Sequence, residues 1–88
     1  MMRYFLHIEN GPERIVDEEG SDLPDLAAAR EEALASARQL WAAAMIEQRD
    51  LSQGRFLVMD GAGACLLIIP FSDALPIGLR RRLRADGA

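Results

Sequence analysis

A chain of 88 residues, half of them hydrophobic and 27% charged, makes one small globular domain; it has no room for two cores and is too apolar for general disorder. The net charge is -4 and the pI lies near 4.8, so the molecule as a whole repels phosphate backbones.

The first predicted element is a strand from Arg3 to Glu9. Tyr4, Leu6 and Ile8 fall on one face, Phe5 and His7 on the other. Asn10-Gly11 marks a hairpin, lengthened by Pro12, and Glu13 to Asp17 pairs back as a short, polar-flanked edge strand. Glu18 to Asp25 is a loop that becomes a helix start, with Asp22 or Asp25 as cap and Pro24 in the first turn. From Leu26 to about Gln48 the apolar residues recur at spacings of three and four: Leu26, Ala29, Ala33, Leu34, Ala37, Leu40, Trp41, Ala44 and Met45. The alanines let such a helix sit close on a sheet, and Leu40, Trp41 and Met45 add bulk toward its end. Ser52 to Gly54 break the pattern. Arg55 to Asp60 and Ala64 to Phe71 read as two more strands, joined by the turn Asp60-Gly61-Ala62-Gly63. Ser72-Asp73 begins a polar exit that Pro76 ends. The tail from Ile77 carries Arg80, Arg81, Arg82, Leu83 and Arg84.

This order predicts an α+β fold: strand-strand-helix-strand-strand, with a four-stranded, mainly antiparallel sheet and one helix on one face. The domain spans 1–75, and 76–88 is an arginine-rich C-terminal tail. Strand order stays open. The last strand is apolar on both faces, since Leu66, Ile68 and Pro70 alternate with Cys65, Leu67, Ile69 and Phe71. One helix covers one face. A second copy of the chain is therefore expected on the other, giving a homodimer. Alternation alone leaves open which set meets the helix; Tyr4, Leu6 and Ile8 form the more uniformly apolar set and are assigned to the helix side. Phe5 and His7 are left as candidate interface residues on the outer face.

Several segments together resemble a family of small bacterial domain-of-unknown-function proteins. They are the opening Arg3-Tyr4-Phe5-Leu6-His7-Ile8, the loop Asp17-Glu18-Glu19-Gly20, and Leu23-Pro24-Asp25-Leu26 with its Ala-Arg-Glu-Glu-Ala helix. Arg55-Phe56, Asp60-Gly61 and Pro70-Phe71 complete the set. The resemblance covers about residues 2 to 75, implies a strand–strand–helix–strand–strand domain and supplies no activity. A weaker similarity is to antitoxins of the HicB type, through Pro24-Asp25-Leu26 and Glu31-Glu32-Ala33-Leu34. The chain departs from that pattern in having two strands after the helix and no evident DNA-binding helix or ribbon.

Candidate chemistry is sparse. His7 and Cys65 would make a base and a nucleophile if adjacent, but no oxyanion-hole motif accompanies them. An outer-face histidine and a small buried cysteine are the simpler account. Asp17, Glu18, Glu19, Asp22 and Asp25 cluster as hard-cation ligands do, yet the spacing is not that of an EF-hand, and acids also solvate a loop and complement a helix start. Arg80, Arg81, Arg82 and Arg84 are candidates for contact with RNA, DNA or an acidic partner. No aromatic residue is interleaved with them to stack on bases. Trp41 belongs to the helix stripe. Phe5, Leu57 and Met59 alternate as a sheet face does. The lone Cys65 excludes an intrachain disulfide and fits a reducing compartment. The longest apolar run, Ala64 to Phe71, is far short of a membrane span, and the first strand is too charged for a signal peptide. The expectation is a cytoplasmic, non-enzymatic interaction or structural module, homodimeric, with no cofactor, metal or membrane partner and no affinity for nucleic acid. The alternative is an antitoxin-like regulator of a small toxin or nucleic acid.

Overall fold

The computed structural model describes the backbone of residues 1–86 and the side chains of residues 1–83. Five strands and two helices follow in the order β1 (Met2–Asn10), β2 (Glu13–Ile15), β3 (Ser21–Leu23), α1 (Leu26–Glu47), β4 (Arg55–Met59), β5 (Cys65–Pro70) and α2 (Ile77–Asp86). A 3-10 turn at Phe71–Ala74 links β5 to α2. The fold is α+β with an antiparallel sheet, in the order β2-β1-β4-β5.

The long first strand is the middle of this sheet. One of its edges pairs along Phe5–Glu9 with β4. Its other edge is shared between two short strands: β3 pairs with Met2–Tyr4 and β2 with Ile8–Asn10. The segment read as loop over Glu18 to Asp25 thus contains a strand. Arg3 holds it in place, its Nε and Nη2 donating to the two Asp22 carboxylate oxygens at 3.0 and 3.1 Å and its Nη1 to the Glu19 carbonyl at 2.9 Å. The tail from Ile77 is helical and packs on the 3-10 turn.

Helix α1 starts where Asp25 accepts from the Ala28 N–H at 2.8 Å. It stops at Gln48, whose left-handed backbone (φ 57°) turns the chain while the Arg49 N–H bonds the Ala44 carbonyl at 2.8 Å. Its alanine stripe seals the interface, since Ala29, Ala33, Ala37 and Ala44 are buried. Against them lie Tyr4, Phe56, Val58 and Ile69 from the sheet, with Leu6, Ile8 and Leu67 at the margin. Tyr4, Leu6 and Ile8 therefore face the helix, as their pattern predicts. Met45, on the border of the stripe in the last turn, is exposed. At the far end of the core the Phe71 and Phe56 rings meet edge to face, with centroids 5.1 Å apart.

Candidate functional site

The outer face of the sheet, away from α1, runs from Phe5 and His7 on β1 to Leu57 and Met59 on β4 and Ile68 on β5. The ladder pairs Phe5 with Met59, His7 with Leu57, and Leu57 with Ile68. A register shift near Met59 makes a bulge, so that Met59 stands opposite Cys65 and Leu66 becomes the extra residue. Charge is confined to the margins, where Arg3 pairs with Asp22 and Arg55 with Glu9.

The two halves of this face differ. On the β1 side the chain covers itself. Phe5 packs under Gly20, where φ is +71° and an added Cβ would lie 2.9 Å from both the Phe5 ring and the Arg3 side chain; a side chain there is excluded by backbone and space together. The His7 Nδ1 accepts the Asp17 N–H at 3.0 Å. Phe5 and His7 are both half-buried. On the β5 side nothing in the described chain covers the sheet. Leu66 is 37% and Ile68 53% exposed, and Cys65 is an exposed free thiol. Leu57, between the halves, is buried although it lies on the outer face.

The sequence pattern places Asp17 at the end of the second strand. Asp17 instead leaves β2 and closes the gap between β2 and β3. Its carboxylate accepts the Leu6 N–H at 3.1 Å, a donor that neither short strand reaches, and the Gly20 N–H at 3.1 Å. Desolvation by itself raises this carboxyl. The N–H groups of Gly20, Leu6 and Glu19, with the His7 ring close by, outweigh it and hold the group below the ordinary carboxylate range. A carboxyl lowered in the folded state contributes stability that is fully present above its unfolded value near 3.8 and is lost as pH falls through the lower folded value. Asp17→Ala should therefore cost about 1–3 kcal/mol at neutral pH, by leaving at least the Leu6 and Gly20 N–H groups unpaired. It should also flatten the acid limb of a stability-versus-pH curve measured by urea titration. An unchanged limb would assign acid sensitivity to other carboxylates.

The other candidates do not converge. His7 and Cys65 lie on β1 and β5 with β4 between them, two strand spacings or about 10 Å apart across the sheet and offset along it as well, since His7 lines up with Leu57 and Ile68 while Cys65 lines up with Met59 and Phe5. Among the described residues, no three His, Cys, Asp or Glu side chains gather as metal ligands. On α2, Arg80 folds back and donates to the Leu75 carbonyl at 3.3 Å, while Arg81 and Arg82 are exposed. The Arg84 side chain lies outside the described residues. A cavity of about 130 Å³ separates the β1–β2 hairpin from the second half of α1; Ile8, Ile15, Leu40 and Phe71 line it, with Glu13 and Arg49. No described helix is long and apolar enough to cross a membrane.

A family model for a domain of unknown function, DUF6894, matches residues 3–72, from the first strand into the 3-10 turn. The chain belongs to the DUF6894 family. The matched region holds α1 and all of the sheet but Met2, the first residue of β1, and it ends before α2. The β5 side of the outer face is therefore part of the DUF6894 domain, whereas Arg80, Arg81, Arg82 and Arg84 lie beyond the match. No curated protein and no solved structure matches the chain.

Proposed function

We propose that this DUF6894 domain is a non-enzymatic interaction module that works as a homodimer in the cytoplasm, assembled through β5 and the adjoining outer face. One observation carries this proposal. Leu66 and Ile68 are exposed side by side on a strand without charge, in a molecule whose single long helix is already committed to the opposite face. Symmetric association adds buried apolar surface that a chain of this length has little of. The free thiol at Cys65 fits a reducing compartment. A second function, that of an antitoxin-like regulator, draws support from the exposed Arg81 and Arg82 on a helix.

Sedimentation or light scattering at tens of micromolar should give the mass of two chains. Ile68→Glu should give the mass of one chain, with a thermal transition close to the parent's, because that side chain is already half in water in the single chain. A monomeric parent would overturn the homodimer and leave the cover to a different protein, as the antitoxin-like function requires.

A further inference from the structure

The two edges of the sheet are built differently. One is split between β2 and β3, three residues each, and carries Glu13, Arg14 and Asp22. Short charged edges of this kind resist strand addition. The other edge is β5: six residues, none charged, with no further strand beside it among the described residues.

The hydrogen-bond phase of β5 follows from one bond. The Phe71 N–H donates to the Gly54 carbonyl at 2.9 Å, at the position that continues the β4–β5 register. Antiparallel partners alternate between pairs that exchange both backbone bonds and pairs that exchange none. Phe56–Ile69 and Val58–Leu67 are therefore bonded pairs, and Leu57–Ile68 and Arg55–Pro70 are not. The bond from Leu6 to Asp17 gives the same phase, since it turns the Leu6 N–H away from β4, opposite Val58. Ile68 thus points both its N–H and its C=O out of the sheet edge. Pro70, the next outward position, has no N–H to offer. Leu66, the previous one, sits in the bulge. Ile68 is the one β5 residue in regular geometry with both groups free.

Resting on the self-association proposed above, we infer its mode: β5 pairs antiparallel with β5 of a second copy across a two-fold axis at Ile68. Each Ile68 N–H donates to the other's carbonyl. A strand facing itself antiparallel is self-complementary; the axis places Pro70, which has no donor, opposite the bulged Leu66 of the other copy, so the reciprocal bonds fall on the Ile68 pair. Two chains of net charge -4 repel, but the strip by which they meet carries no charge. Because the opposite edge is short and charged, growth stops at two, and the result is a closed dimer, not a filament.

Amide hydrogen exchange resolved by residue tests this on the intact chain, with mass measured in the same samples. Leu67 and Ile69, bonded to β4, serve as internal references. The expected result is an Ile68 amide that exchanges at least about a hundred-fold slower in the dimer than on dilution below its dissociation constant. A dimer whose Ile68 amide exchanges as an open edge does would overturn strand pairing and leave self-association standing. Protection at Ile68 that ignores concentration would also overturn it. A single-chain mass at tens of micromolar would overturn both the mode and the assembly.

Discussion

Trp41→Ala is expected to cost about 3 kcal/mol or more of folding free energy, among the largest losses available in this chain. The ring packs against the core at the end of the alanine stripe, and its Nε1–H donates to the Phe71 carbonyl at 2.8 Å. That bond ties α1 to the 3-10 turn directly after β5. Truncation removes the ring's apolar contacts and strands a carbonyl at the same time. Trp41→Phe separates the two effects: it keeps most of the aromatic body and loses only the bond, so about 1 kcal/mol is expected. Urea titration of both variants measures this. A Trp41→Ala midpoint equal to the parent's would mean that the ring contributes neither packing nor its hydrogen bond.

Gly54→Ala is the second large effect, and it converges on the same residue, Phe71. A Cβ at Gly54 would lie 2.5 Å from Phe71 Cδ2 and 2.6 Å from Cε2. No side-chain tip can swing away to make room. Phe71 is 1% exposed, and its ring is wedged edge-on against the buried Phe56. Overpacking at such a point costs about 1–3 kcal/mol, and the upper end is expected. The check is a double-mutant cycle with Phe71→Leu, in which removing the ring should relieve the clash. Gly54→Ala that costs as much in the Phe71→Leu background as in the parent would place the strain elsewhere.

The elements legible in the sequence are those with long periodic patterns. Ala29, Ala33, Ala37 and Ala44 repeat often enough to define a helix and its buried side, and the pattern of Tyr4, Leu6 and Ile8 turns them toward that helix. Ser21–Leu23 was illegible because three residues, with acids before them and Pro24 after, carry no alternation; the strand exists because Arg3 holds Asp22 and Glu19 from the neighbouring strand. Asp17 read as the end of a strand because nothing local says that a backbone donor eleven residues earlier lacks a partner. For the candidate surface, the two-faced apolar pattern of Cys65 to Phe71 was plain. That β5 forms an edge depends on strand order, which local periodicity does not encode. The same limit hid the cover that Gly20 lays over Phe5.

The placement of β1 beside β4 has a consequence for how the chain comes into being. A polypeptide made from its N-terminus presents Met2–Asn10 first, yet Phe5 must await Met59. Until Arg55–Met59 has emerged, the nascent chain holds a hairpin and an alanine-striped helix with only the Tyr4, Leu6 and Ile8 side of β1 for that stripe, and without Phe56, Val58 and Ile69 to complete the surface. Closing the sheet is a late, long-range step, and such steps slow folding and lengthen the interval in which apolar segments meet strangers. A gene fragment ending before Arg55 should accordingly yield a product that cells degrade or aggregate, whereas one that reaches Phe71 brings the last partner of the core with it.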